Sequence, residues 1–433
     1  MPFRIALSGL DAASTDLEVT GHNVANAATN GFKQSRAEFA DLYATSIQDV
    51  SATAAGRGVK VTRVAQQFAQ GNLEFTANNL DLAINGEGFF VLHDDAGNVT
   101  VSRAGAYGVD RNGVVVNHSN ERLQVFPPVD TVGERFNTGT TTDLVLPTLS
   151  GKPKPTGLID AALNLSASEQ QPGTPFPVQP AVADETNVTT EVYNHATSTT
   201  IYDSLGTGHR ATMYYRRSAN PGEWQVYTYI DGKLAPGPAG DFVTMNFDAN
   251  GALAAGQGDI NAQGRVTLSP WEDDGNNDGN LSNGAAAIEL TFDYNNSSQF
   301  GGSFAVNNLT QDGYTAGRLS GVEIDNEGIV FARFTNGQSS ALGKVALARF
   351  NNNQGLRQLG DTSWAETFTS GDMQLGEAGT SSFGLLQSGA LENSNVDIAE
   401  QLVNLITAQR NYQANAQVIP TADTITQTII NIR

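Results

Sequence analysis

Both ends of this chain carry the same seven-residue rhythm, and the long body between them does not. Near the C-terminal end, Ile398, Leu402, Leu405, Gln409, Tyr412, Ala416, Ile419, Asp423, Thr426 and Ile430 step alternately by four and three. That is the spacing of a helix that lies against other helices. At the N-terminal end Phe3, Ala6, Leu10, Ala13, Leu17, Thr20, Val24 and Ala27 keep the same steps. Pro2 falls in the first turn, where proline is tolerated. Asn30-Gly31 reads as the helix stop, with Phe32 folding back on the last turn. Ser394-x-x-Asp397 reads as a capping box for the C-terminal helix, and Arg433 as a cation at its negative end. Gln409 and Asp423 dilute the C-terminal stripe, so it suits a helix packed among several neighbours better than an isolated dimer. Pro420 removes the bond to the Ala416 carbonyl and predicts a kink. Terminal helices this polar are expected to fray alone and to order on assembly.

Inside this bracket the period changes to two. Residues 33–71 are loose, with an extended stretch over 59–64. From residue 72 to 147, apolar runs such as Phe89-Phe90-Val91-Leu92 and Val114-Val115-Val116 are separated by Asn85-Gly86, Asp94–Asn98 and Asn112-Gly113. These are hairpin turns that supply positive φ at low cost. A proline-rich passage, with Pro147, Pro153, Pro155, Pro172, Pro175, Pro177 and Pro180, leads into a second β region. Its strands include 199–202, 211–215 and 224–230, the last closing on Asp231-Gly232. After residue 313 the texture of the first β region returns. The chain is therefore expected to be a multidomain α+β protein. Residues 1–32 and 391–433 form a coiled-coil-like core of terminal heptad helices, reached through connecting segments 33–71 and 376–390. An inner β domain (72–147 and 313–375) receives an inserted outer β domain (148–312), both mainly antiparallel.

Composition narrows the function. Charged residues are 16% of the 433, yet the net charge is −21. Residues 160–310 hold 17 acidic against 5 basic side chains, which marks that stretch as the most solvated and outermost. Such a balance argues against nucleic acid and anionic membrane as partners. Without cysteine there is no disulfide, thiol nucleophile or thiolate metal site. No run of ~18 apolar residues marks a membrane span. The first residues lack an apolar signal-peptide core, so export without a cleaved signal peptide is expected.

Apparent catalytic motifs have plainer explanations. Gly206-Thr-Gly208 precedes an alternating strand instead of the helix a dinucleotide loop needs. Asp274-x-Asn276-x-Asp278-Gly279 opens like a calcium loop but has Ala285 at the twelfth position. His22, His93, His118, His195 and His209 show no metal-ligand spacing. No catalytic, cofactor or metal residue is assigned, and no enzyme activity is expected.

Several longer blocks are more specific. Ser8–Ala13 and Ala25-Asn26-Ala27-Ala28-Thr29-Asn30-Gly31-Phe32-Lys33 come first. Gln67-Phe68-x-Gln70-Gly71 follows, then Thr76-x-Asn78-x-Leu80-Asp81-x-Ala83-Ile84-Asn85-Gly86-x-Gly88-Phe89-Phe90. Near the end stand Gly389-Ala390-Leu391-Glu392-x-Ser394-Asn395-Val396-Asp397 and Ala408-Gln409-Arg410-x-Tyr412-Gln413-Ala414-Asn415-Ala416. Together they resemble the signatures of the bacterial flagellar axial family of rod, hook and hook-associated proteins. Phe39–Tyr43, Tyr202–Gly206, Asn353-x-Gly355-Leu356 and Gly360-Asp361-x-x-Trp364 look like the hook branch. The resemblance implies a non-enzymatic subunit of a curved extracellular tube that transmits torque as a universal joint. It implies copies of itself as the main partner. Distal rod, hook cap and hook-filament junction proteins and the export apparatus would be further partners. Phe3, Leu10, Leu17, Val24, Ile398, Leu402, Leu405, Tyr412, Ala416 and Ile419 would form helix seams between copies. Asn26, Thr29, Gly31, Phe32, Lys33, Asn395, Asp397, Gln409, Arg410, Gln413 and Asn415 are the motif positions. A distal rod or junction component is the alternative within the family, and a secreted β-rich adhesin the alternative outside it.

Overall fold

The computed structural model describes all residues except 1, 43–55, 131–134, 149–150, 178–184, 186–187, 274–279, 381 and 432–433, together with the side chains of 2 and 429–431. Tyr43, Pro180, the acidic loop at 274–279, the Ile430 side chain and Arg433 therefore lie outside the described residues. The chain is mostly β, with a long helix near each end, and it divides into two units. One comprises Met1–Thr148, Leu319–Arg333 and Ser339–Arg433; the other comprises Leu149–Arg318 and Phe334–Gln338.

In the first unit, helix α1 spans Pro2–Ala25 and helix α2 spans Ile398–Asn431. They lie side by side in opposite directions: Gly9 abuts Asn415, and Asn23 bonds Gln401 at 3.1 Å. α1 buries Ala6, Ala13 and Thr20 and half-buries Leu10, Leu17 and Val24, while Phe3 is exposed. α2 presents a stripe rotated by one residue from the heptad reading. Gln401 and Ala408 are buried and Leu405, Asn415 and Ile419 half-buried, whereas Leu402 and Gln409 are exposed. Ala6, Ala13 and Ala408 are buried on this face, where small side chains let the two backbones approach closely.

Two helix-end expectations need correction. α2 is capped by Asp397 alone, whose Oδ1 accepts from the amides of Ala399 (2.8 Å) and Glu400 (3.2 Å). Ser394 instead caps the preceding turn by accepting from Val396 N. α1 ends at Ala25, five residues before Asn30, because Asn26 Nδ2 turns back to the His22 carbonyl at 2.9 Å. Gly31 has φ +72°, but there it serves the later turn, and Phe32 packs on the His22 ring at 5.5 Å. α2 runs as one helix through Pro420.

The described parts of the connecting segment 33–71 are also more regular than their sequence texture suggests. Strand β1 (Ser35–Asp41) pairs antiparallel with strand β2 (Val59–Gln66), with a bulge between Glu38 and Phe39. The bulge and the charges at Arg36, Glu38 and Arg63 hide the period of two.

Among the described residues, the largest sheet of this unit has twelve strands. Its spine is Ser339–Arg349, which pairs antiparallel with Ile329–Phe334, Arg122–Phe126, Phe89–His93 and Gln374–Glu377. Both faces of this sheet are covered, which explains the unbroken apolar run at 89–92. Phe90, Leu92, Val345 and Leu347 enter one core with Leu82 and Ile84. Phe89, Val91, Ala346 and Ala348 enter the other with Phe126, Phe350 and Trp364. Successive side chains simply alternate between the two cores.

Among the described residues, the second unit holds a four-stranded and a five-stranded sheet. In the first, Leu158–Asn164 pairs antiparallel with Ala305–Gln311 but parallel with Thr291–Asp293. In the second, His195–Tyr202, Gly208–Arg217 and Glu223–Ile230 pair antiparallel in sequence. The Asp231-Gly232 turn has φ of +46° and +83°, the double positive that a two-residue hairpin requires. Gly206-Thr-Gly208 is the hairpin turn expected, held by Asp203 Oδ1 accepting from Leu205 N and Thr207 N. Ile159, Leu163, Met213, Tyr215, Trp224 and Phe292 belong to the principal core of this unit.

Candidate functional site

The motif blocks that stand far apart in the sequence meet in the first unit, around the carboxylate of Glu392. The strand Ala390–Glu392 pairs with Leu73–Phe75, which carries Glu392 beneath the start of β1. Lys33 Nζ donates to Glu392 Oε1 at 2.5 Å, and both side chains are wholly buried. Arg103 Nη1 donates to Glu392 Oε2 at 3.1 Å, and Gly71 N donates to Oε1 at 2.8 Å. Both cations make a further bond, although Arg103 Nε is buried without a partner among the described residues. Lys33 Nζ reaches the Ala69 carbonyl at 2.8 Å, and Arg103 Nη2 reaches the Gly86 carbonyl at 2.7 Å. Burial pushes the Lys33 ammonium below its ordinary range, and Glu392 pulls it back up. A buried carboxylate with two cations and an amide is the arrangement that makes burying charge tolerable.

A second layer of hydrogen bonds surrounds this centre. Asn395 Oδ1 accepts from Gln34 N at 2.8 Å, while its amide donates to the Gln67 and Ala69 carbonyls. Asn23 brackets Ser35, accepting from its amide and donating to its carbonyl, and also bonds Gln401. Gln70 spans from the Ile84 carbonyl to Gly86 N. Thr76 and Asn78 both donate to Asp81, at 2.7 and 2.9 Å. Gly31 donates to the Glu392 carbonyl at 2.7 Å, and a Cβ on it would stand 2.5 Å from Ala104 N. Trp364 Nε1 donates to Gln66 Oε1 at 2.6 Å, and its ring lies edge-on to Phe68. The result is a clasp that joins the C-terminal end of α1, the start of α2 and the large sheet.

The predicted motif residues thus separate into two groups. Gly31, Lys33 and Asn395 sit in the clasp; Phe32 packs beside it, Asp397 caps α2, and Thr29 bonds Asn26 within the turn. Gln409, Arg410 and Gln413 are exposed on α2, and Asn415 faces Gly9. Of the seam residues, Phe3, Ile398, Leu402 and Tyr412 are exposed, and Leu10, Leu17, Val24, Leu405, Ala416 and Ile419 are half-buried. The sequence reading did not single out Arg103, Glu392, Asn23 or Gln401. Their signal was polarity inside otherwise apolar or small-residue stretches, which only long-range pairing explains.

Family models match the chain in order. The flagella basal body rod protein model covers residues 3–33, and the flagellar hook protein FlgE/F/G D1 domain covers 83–151. The flagellar basal body protein FlaE D2 domain covers 164–314, and the flagellar basal body rod FlgEFG protein C-terminal model covers 387–432. Flagellar hook protein FlgE of Salmonella typhimurium is 37% identical over 438 residues, spanning 100% of both chains. The chain belongs to the flagellar hook protein family. Flagellar hook protein FlgE of Escherichia coli is also 37% identical over the full length, and that of Borreliella burgdorferi 31% identical over 99% of this chain. The crystal structure of Helicobacter pylori flagellar hook protein FlgE2 shares the fold, with TM-score 0.54 and 14% identity over 74% of this chain. This family is structural and not enzymatic, and self-polymerisation into the hook is its implied assembly. In this hook-family chain the clasp is where three family segments meet: Lys33 closes the first, Arg103 lies in the second, and Glu392 in the last.

Proposed function

We propose that copies of this chain build the flagellar hook by packing their terminal helices against one another, with the clasp setting how those helices leave the β unit. One observation carries the reading. α2 is 34 residues long, yet Ile398, Leu402, Val403, Ile406, Tyr412, Val418 and Ile425 all remain exposed on it. Phe3, Ile5 and Leu7 are exposed on α1 as well. Apolar side chains recurring along a helix that one neighbour cannot cover call for further neighbours.

In this reading α1 and α2 form a coiled-coil-like core (1–32 and 391–433) that interlocks with other copies along the seam residues named above. Segments 33–71 and 376–390 connect it to the β domains 72–147 with 313–375 and 148–312. Small residues such as Ala6, Ala13 and Ala408 permit close approach and make the core stiff in twist. Polar, wet contacts through the Asn- and Asp-rich residues 148–312 can slide, which permits bending and gives the universal joint. The ends of the tube would meet distal rod, hook cap and hook-filament junction proteins. The subunit would reach the extracellular hook through the flagellar export apparatus, without a cleaved signal peptide.

Negative-stain electron microscopy of the purified chain beside its 33–390 portion tests this. Tubes from the full chain and none from the portion are expected. Identical monodisperse particles from both, even with preformed tube ends added as seeds, would overturn the proposal.

A further inference from the structure

Asp16 stands on α1 between Ala13 and Thr20, half-buried, at the junction of two grooves. One groove, about 480 Å³, is lined by Ile5, Ala12, Phe39 and Val59 together with Asn411 and Asn415 of α2. The other is polar and includes Thr20, Glu400 and Asn404. Among the described residues no donor reaches the Asp16 carboxylate, and burial pushes it above the usual carboxylate range. A carboxylate drawn partly out of water without a donor is costly unless something supplies a cation.

Arg410 is the converse. It is exposed on α2, and no acceptor among the described residues meets it. Ala408 faces α1 and is fully buried. Two residues further on, Arg410 lies about 200° around the helix and so points away from α1. The facing of residue 9 with 415 and 23 with 401 sets Asp16 level with Ala408. Arg410 is then displaced from that level by only about 3 Å along the axis. Two copies laid side by side in near register therefore bring Arg410 of one to Asp16 of the next. Exposed Val403 and Ile406 share the Arg410 face and add apolar contact.

We infer that the Asp16 grooves of each chain receive the Arg410 face of α2 from a second copy, with an Asp16–Arg410 ion pair formed between copies. The inference rests on the self-assembly reading and names the surface it uses.

The test uses full-length chains at moderate ionic strength, because high salt would screen the pair. Asp16→Arg and Arg410→Asp should each lower tube yield at least about tenfold in sedimentation and electron microscopy. The double exchange should restore tubes. So should an equimolar mixture of the two single variants, in which each like-charged chain meets its complement only on a different molecule. Single variants that assemble like the native chain would overturn the inference. So would a double exchange and a mixture that both stay monomeric while circular dichroism shows native helix content. A native chain that forms no tubes, seeded or not, would instead count against the self-assembly reading itself.

Discussion

Lys33 and Glu392 stand 359 positions apart in the chain, yet their charged atoms meet at 2.5 Å with neither side chain touching solvent. An ion pair this deep is held by what surrounds it: Arg103 and the Gly71 amide also donate to the carboxylate, and the Ala69 carbonyl accepts a second bond from the ammonium. Removing one member strands the others without water. Glu392→Gln is therefore expected to destabilise the first unit by ~3–5 kcal/mol. Glu38, which pairs with Arg36 and Arg63 on the exposed hairpin, provides the contrast. Glu38→Gln should leave the unfolding midpoint unchanged, since exposed pairs are screened. Urea unfolding of the two variants beside the native chain separates these outcomes.

Gly31 and Gly97 both have positive φ, +72° and +82°. They differ in surroundings: a Cβ at Gly97 meets open space, whereas one at Gly31 meets the Ala104 backbone at 2.5 Å. Gly97→Ala should cost about 1–2 kcal/mol, the ordinary penalty for a side chain in that conformation. Gly31→Ala must also push two segments apart beside the clasp, so its melting temperature should fall well below that of Gly97→Ala. Equal melting temperatures would mean that the close approach at Gly31 does not matter.

The second unit carries an acid-sensitive turn. Asp203 is fully buried, and burial pushes its carboxyl up. Hydrogen bonds from Asn283, Thr207, His209 and Leu205 outweigh that effect and hold it below the usual 3.8. Because the folded value is the lower one, its stabilisation is present above about 3.8 and is lost as pH falls through the folded value. Amide protection factors in the strand Gly208–Arg217 should hold from neutral pH to about 5 and decline below about 4. Asp203→Asn should lower them already at neutral pH and flatten the acid decline.

What the sequence disclosed follows from the range of each signal. The helices, the Asp231-Gly232 hairpin and the 203–207 turn are local, written in spacing and in glycine or aspartate at fixed offsets. The alternation of Phe89 to Leu92 between two cores was hidden because both faces are apolar. β1 was missed because its charges and bulge erase the period. The clasp was present only as motif fragments: Lys33 looked like the last letter of one block and Glu392 like an interior letter of another. Arg103 belonged to no block. A bond that closes 359 residues has no periodicity, so only the folded chain explains why these polar residues sit there.

Pro420 tests how the C-terminal third of α2 is meant to behave. The helix continues through it, yet the Ala416 carbonyl loses its amide partner there. Beyond it, Thr421, Thr424, Thr426 and Thr428 each donate their hydroxyl to the carbonyl four residues back, at 2.8–2.9 Å. Such bonds compete with the regular ladder, and β-branched residues are weak helix formers. This stretch is therefore the least stable part of the helix in a free subunit, and neighbours would have to hold it. Pro420→Ala restores the missing donor and should favour the local helix by roughly 3 kcal/mol. Hydrogen exchange in the unassembled chain should then show greater protection across residues 417–428 than in the native protein. If protection there is unchanged, the packing of α2 on α1 already sets its stability, and the proline has no part in keeping the end of the helix loose before assembly.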